Sequence, residues 1–353
     1  MNAYIGSVTT LTCDVLVVGG GVVGLSTALA ASGKGLTVTI LDSQVGGGAT
    51  YAAAGMLSPG AELLSGEVHA AREAQESLEL WPSFSDVAAI ARPTQSGSLL
   101  VGWSGGDRRE IDRLTSASMD FGIERQLLVR GAAEIFDRYS PRISEGLYFP
   151  SDSFVDVDEV RQGLVATLRN RGVTFVATDA VTLLDDKVVR VETHQGCFEA
   201  PFAVLATGAN GALARQLNVE SAAVRPVRGV TVRLQRRQHG QTGMIRALVD
   251  GRPIYVVERS DGSVVVGASS DESNDRYVDA LAVSELLRLA LLIYPSLDGA
   301  EFVEARSGLR PVAQAGLPFF QEISPNCVWT SGYYRHGVLM APLAYRHVER
   351  RLG

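Results

Sequence analysis

The stretch Cys13–Gly24, CDVLVVGGGVVG, decides how the rest of the chain is read. Cys13 to Gly20 is a short, valine-rich apolar run that stops at glycine, the pattern of a buried strand. Gly21 to Gly33 then sets Val22, Leu25, Leu29 and Ala30 at helical spacing and ends in Ser32-Gly33, a plausible helix stop. Thr37 to Leu41 is a second β-rich run. Strand, helix and strand within about 30 residues make a βαβ unit with parallel strands. The first turn of that unit fits G-x-G-x-x-G. Gly19 allows the tight turn after the strand, Gly21 lets the backbone approach a pyrophosphate, and Gly24 lets the helix pack closely on the sheet. The helix N-terminus offers N–H groups and partial positive charge to phosphates. Asp42 ends the second strand, 18 residues beyond Gly24, where a carboxylate can accept from both ribose hydroxyls. The reading is a dinucleotide-binding domain.

Working outward, Gly46–Gly60 (GGGATYAAAGMLSPG) is too rich in small residues for a mere linker and has little to build a core from. Helical patterns follow over 67–91, near 107–119 and over 158–171, with strands at 173–177 and 201–206. From 224 to 268 the pattern is mostly β, and Asp261-Gly262 marks a hairpin turn. A helix is expected over about 276–293, strands near 301–305 and 327–331, and a last helix over about 338–351. This order predicts an α/β chain, with a Rossmann-like domain interleaved with one built on an antiparallel sheet. The nucleotide domain is assigned to 1–90, 151–222 and 301–353, and the substrate domain to 91–150 and 223–300.

The 353 residues suffice for two domains, and 46% apolar against 20% charged residues is an ordinary globular balance. A net charge of −7 and only short basic stretches speak against a nucleic-acid partner. Cys13, Cys197 and Cys327 are scattered, and the five histidines never form HExxH, so neither a disulfide framework nor a metal site is expected. Residues 1–12 lack a secretory pattern, and no apolar run reaches the ~18 residues of a membrane span. A soluble cytoplasmic protein is expected.

The choice between FAD and NAD turns on Pro201–Gly208, PFAVLATG, an apolar strand ending in a small-residue turn. That turn resembles one common in FAD-binding proteins. VVGGGVVGL at 17–25, AAAGML at 52–57, SFVD at 153–156, GLRP at 308–311 and GYYRHGVLMAP at 332–342 then occur in one order across nearly the whole chain. Together they resemble the glycine oxidase branch of the D-amino-acid oxidase superfamily, which includes the oxidase of bacterial thiamine biosynthesis. AAAGML, GLRP and the YRHG segment are the specific pieces.

The resemblance implies non-covalent FAD, a homotetramer, and dioxygen as the electron acceptor. It puts Val22 and Val23 at the pyrophosphate, and Leu41 and Asp42 at the ribose. Ala49 and Thr50 contact FAD in the loop, and Ala54, Gly55 and Met56 line the isoalloxazine. Ala180 meets the adenine. Tyr333, Tyr334, Arg335, His336, Gly337, Val338 and Leu339 wrap the flavin's pyrimidine edge, leading into the last helix. The resemblance also makes Arg310 the carboxylate anchor, whose planar fork suits two parallel bonds. Tyr255 meets the same carboxylate, and Arg335 stands near substrate and flavin. The sequence departs from the family pattern in three places. Tyr333-Tyr334-Arg335-His336-Gly337 replaces His-Phe/Tyr-Arg-Asn-Gly, Pro253 stands where a histidine is expected, and Ser270 where a methionine is expected. The implied activity is oxidation of a small amino acid to a 2-oxo acid, ammonia and hydrogen peroxide. Two alternatives remain at this point: a sarcosine- or proline-type amine oxidase or dehydrogenase, and a catalytically silent FAD-binding subunit.

Overall fold

The computed structural model describes residues 10–60, 70–116, 122–185, 187–216, 224–237, 239–314 and 316–353. Val15–Val18, the first strand of the opening motif, lies near the middle of a six-stranded sheet ordered Thr174–Val176, Val38–Leu41, Val15–Val18, Phe202–Leu205, Cys327–Ser331 and Phe319–Ser324. All its pairs are parallel except the last. Both faces of such a sheet must be covered, which explains the unbroken apolar runs. Helix Val22–Gly33 is buried on almost every side, because it is sandwiched between the sheet and helices Ala71–Ala88, Val157–Asn170 and Ala341–Arg351. Leu16, Leu25, Leu29 and Ile40 are fully buried, each worth about 1.5–3 kcal/mol relative to exposure.

An eight-stranded sheet forms the second layer, ordered Glu301–Ala313, Val224–Gln235, Ser263–Gly267, Arg252–Glu258, Gly243–Val249, Ser98–Gly102, Glu145–Phe149 and Gln126–Val129. Its pairs are antiparallel except that of Gly243–Val249 with Ser98–Gly102. The two faces differ. Val230, Val232, Ile245, Ala247, Ile254 and Val256 pack under helix Ala280–Ile293. The alternate residues face the other way, toward the nucleotide-binding layers.

Several boundaries differ from expectation for local reasons. The helix expected from 276 begins at Ala280, because the Asp279 carboxylate accepts the Leu281 N–H and caps it. The last helix begins at Ala341, since Val338–Met340 form a turn. The strand expected at 301–305 runs on to Ala313, because it pairs along its length with Val224–Gln235. Residues 301–313 therefore belong to the eight-stranded sheet and not to the nucleotide layers. The helix at 67–91 appears as Ala71–Ala88 and that at 107–119 as Gly105–Ser116; positions 67–69, 117–119 and the boundary at 222 lie outside the described residues. Strands at 98–102, 126–129, 145–149, 180–185, 189–193, 196–200 and 319–324 were not anticipated. Among the described residues no helix is long and apolar enough to cross a membrane.

Candidate active site

A cavity of about 1070 Å³ is lined both by the first turn of the opening motif and by strands of the eight-stranded sheet. At its first end the glycines are packed against backbone. A Cβ on Gly19, whose φ is +108°, would stand 2.2 Å from the Ala206 carbonyl oxygen. One on Gly24 would stand 1.9 Å from the Gly19 carbonyl oxygen, so this glycine is what brings helix and strand together. Gly21, Val22 and Val23 line the cavity, and the helix starts at Gly21 without a side-chain cap from that residue. The Val22 N–H instead donates to Thr50 Oγ1 at 3.0 Å. Thr50 thus holds the helix start as well as lining the cavity beside Ala49.

Leu41 and Asp42 line the same end. Asp42 accepts from the Gly20 N–H at 2.5 Å and the Gln44 N–H at 2.6 Å. A carboxylate has about four lone-pair sites, so these bonds orient it and leave capacity for ribose hydroxyls. Ala180 lies beside Thr178 and Asp179 at this end, and Thr207 and Gly208, from the PFAVLATG turn, lie opposite. Glycine cradle, helix start and terminal carboxylate fit an adenine dinucleotide such as FAD.

Ala54, Gly55 and Met56 line the middle of the cavity. Gly55 has φ +83°, and a Cβ there would meet the Val155 carbonyl at 2.0 Å, so the SFVD segment sets the path of AAAGML. Across from it, Tyr333, Tyr334, Arg335, Gly337 and Val338 line the cavity. His336 and Leu339 do not. His336 is buried, and the Leu339 carbonyl accepts from Ser77 Oγ at 2.7 Å and Trp81 Nε1 at 3.0 Å. The two bonds at the Leu339 carbonyl tie the segment to helix Ala71–Ala88. Burial pushes the Tyr333 hydroxyl up to about 12, so it stays protonated through the neutral range. Cys327 is fully buried in its strand and does not line the cavity.

Arg310 and Tyr255 both line the cavity from strands of the eight-stranded sheet. Arg310 Nη1 donates to the Ser269 carbonyl at 3.0 Å. Its guanidinium lies flat over Gly229, where a Cβ would stand 2.1 Å from Nη2. Tyr255 lies over Gly267 in the same manner, with a Cβ there 2.2 Å from its hydroxyl. GLRP is tied to the YYRHG segment: the Tyr334 N–H donates to the Pro311 carbonyl at 2.7 Å. Arg335 lies against the Tyr334 ring, 5.0 Å from its centroid. The Tyr334 hydroxyl is 3.4 Å from Ser270 Oγ, so one departure from the family pattern, Ser270, meets the YYRHG segment here.

Three contributors were not anticipated. Arg246 lines the cavity, is 4% exposed, and stands opposite Tyr255 across the hairpin with its guanidinium 5.9 Å from that ring. A lone arginine in an apolar strand was the available signal. Gly229 and Gly267 make room for the two side chains above them. Their signal, glycine inside a strand pattern, was present and marks close approach.

The model of the FAD dependent oxidoreductase family matches residues 14–350, and the chain belongs to that family. It is 26% identical over 349 residues to a bifunctional ThiO/ThiG protein of Trichormus variabilis, an alignment covering 94% of this chain and 51% of that one. The chain thus spans about half the length of the first curated relatives it matches. It is 27% identical to a glycine oxidase of Geobacillus kaustophilus, covering 94% of this chain and 90% of the relative. The crystal structure of glycine oxidase from that organism superposes with a TM-score of 0.86 at 26% identity, over 96% of this chain and 95% of that one.

Proposed function

We propose that this FAD-dependent oxidoreductase oxidises a small amino acid of the glycine class to its 2-oxo acid, with release of ammonia and hydrogen peroxide. The observation that carries the reading is that Arg310 and Tyr255 line the same cavity as the glycine cradle, lying over Gly229 and Gly267 of two paired strands. The resemblance to glycine oxidases and ThiO proteins supports it. Bound FAD would supply the redox chemistry, accepting a hydride from the substrate α-carbon and passing electrons to dioxygen. Arg310 binds the carboxylate with its fork, held by the Ser269 carbonyl and the open floor at Gly229. Tyr255 donates its hydroxyl to the same carboxylate. Together they present the α-carbon toward Ala54–Met56, on the lining of the cavity's middle. Hydride loss from a neutral amine needs no protein base, so the reading does not require one. A cytoplasmic site of action is supported by three cysteines that form no disulfide. A homo-oligomer is supported by the family resemblance alone.

The test is anaerobic loss of flavin absorbance on mixing with glycine, sarcosine, D-amino acids and proline isomers. Bleaching by glycine or small D-amino acids is expected. Bleaching by sarcosine or proline alone would move the assignment to secondary amines, and no bleaching by any of them would sink the proposal. Among active substrates, kcat/KM should rise with pH as the amine deprotonates. A flat profile through that ionisation would mean that the protein removes the proton by another route.

A further inference from the structure

The segment Tyr51–Ala54, which runs into the cavity lining, is gripped from behind at its four consecutive carbonyl oxygens. Arg306 Nη1 donates to Tyr51 O at 3.1 Å, Thr231 Oγ1 to Ala52 O at 2.9 Å, Arg233 Nη2 to Ala53 O at 3.3 Å, and Arg259 Nη2 to Ala54 O at 3.3 Å. Thr231 and Arg233 lie on Val224–Gln235 and Arg306 on the edge strand Glu301–Ala313 paired with it, and Arg259 follows Arg252–Glu258. None of the four lines the cavity. The three guanidinium side chains are 8–11% exposed and are neutralised locally. Asp158 and Glu304 meet Arg306 at 2.8 and 2.6 Å, and Asp156 meets Arg259 at 3.4 Å. Burying three cations is costly unless they are paired and hydrogen-bonded, and a loop that only had to cross the surface could leave its carbonyls to water. Such a cluster is a strong constraint on one short segment.

The strand register shows what the constraint relates. Thr231 stands opposite Arg306, Gly229 opposite Gly308, and Val227 opposite Arg310. Residues two apart on a strand share a face, so Arg306, Gly308 and Arg310 point the same way. A Cβ on Gly308 would stand 2.9 Å from Ala49 Cα and 3.1 Å from Ala52 Cβ. The strand therefore lies directly on the short helix Gly48–Ala52. One strand face grips the segment through Arg306, touches it at Gly308, and about 7 Å further on presents the substrate arginine.

We propose that Thr231, Arg233, Arg259 and Arg306 are positioning residues that seat the flavin-lining segment on the same sheet that carries Arg310, so that the spacing from flavin ring to substrate carboxylate is set by that one sheet. The inference rests on FAD binding and on Arg310 as the carboxylate anchor, and is independent of which amine is oxidised.

The test uses purified holoenzyme and the variants R233M, R259M, R259K and T231V. FAD dissociation is read by recovery of flavin fluorescence on dilution, and kcat and KM are measured at saturating FAD. The arginine-to-methionine variants are expected to bind FAD about tenfold to a hundredfold more weakly, and T231V about two- to tenfold. At saturating FAD, kcat falls while KM stays within about twofold, because Arg310 is untouched. R259K recovers part of both losses. If the methionine variants do not fold, T231V and R259K decide, since each alters one donor. Folded variants with wild-type FAD affinity and wild-type kcat, and only a lower melting temperature, would overturn the proposal by reducing the cluster to a structural role. Wild-type protein that retains FAD but turns over no amine in the panel would overturn the substrate reading alone, and the FAD arm would still decide this one.

Discussion

The two ends of the cavity are built in different ways. The nucleotide end is made largely of backbone. Its glycines, helix start and Asp42 come from one βαβ unit, and its close contacts are Cβ-free approaches between Gly19, Gly24 and Ala206. The substrate end is made of side chains. Tyr255, Arg246 and Arg310 come from three strands and are brought together by sheet register. At a backbone site an added atom meets fixed backbone, whereas at a side-chain site it displaces a flexible group, and the larger loss comes from removing a charge. The first therefore holds a cofactor common to many chemistries, and the second selects what is oxidised.

The sharpest way to separate the two ends is to remove the charge at one of them. Truncating one partner of a buried charge pair costs about 2–5 kcal/mol, so Arg310→Ala should lower kcat/KM by roughly thirtyfold to several thousandfold. FAD content should stay normal. Loss of FAD from this variant, read as the ratio of flavin to protein absorbance, would merge the two ends and withdraw the substrate assignment. The complementary change is Gly24→Ala. Its Cβ would stand 1.9 Å from the Gly19 carbonyl, and overpacking of this kind costs about 1–3 kcal/mol. FAD should bind roughly fivefold to a hundredfold more weakly, while KM for the amino acid at saturating FAD stays near the wild-type value. Fluorescence titration and steady-state kinetics on one preparation check both parts.

The same contrast explains what was legible in the sequence. The βαβ unit could be read because its strand, helix, strand and acid lie within one contiguous stretch, so spacing alone specifies their relation. Family motifs pointed to Arg310 and Tyr255, and both are among the residues that line the cavity. Arg246 was missed because its place depends on facing Tyr255 across a hairpin, which no local pattern encodes. His336 and Leu339 were grouped with the cavity lining because they sit inside a lining motif. The turn before the last helix directs them backward, and Leu339 anchors to Ser77 and Trp81. The edge strands at 126–129 and 319–324 were missed because they are short and incompletely buried, which erases their apolar signature.

Two smaller changes probe the substrate end by itself. Gly229→Ala places a methyl 2.1 Å from Arg310 Nη2. The guanidinium is the flexible partner and should give way, at a cost of about 1–3 kcal/mol. The expected result is a KM raised roughly tenfold or more with FAD content unaltered, and an unchanged KM would mean that the arginine's resting place over Gly229 is not its working position.

Tyr255→Phe is expected to do least. The hydroxyl is neutral, and a hydrogen bond to a charged carboxylate is worth about 1.5–3 kcal/mol at most, of which part is recovered when water or Arg310 takes over the same oxygen. The loss should be about 1–2 kcal/mol, or roughly fivefold to thirtyfold in kcat/KM. The ring stays in place over Gly267, since the phenylalanine keeps every atom but the oxygen, and Arg246 keeps the ring it faces. The effect should therefore fall on substrate binding, with KM rising and kcat nearly constant. If kcat falls instead while KM holds, the hydroxyl acts on the amine or on the developing imine and not on the carboxylate. The substrate would then lie turned in the cavity, with its carboxylate shared between Arg310 and Arg335.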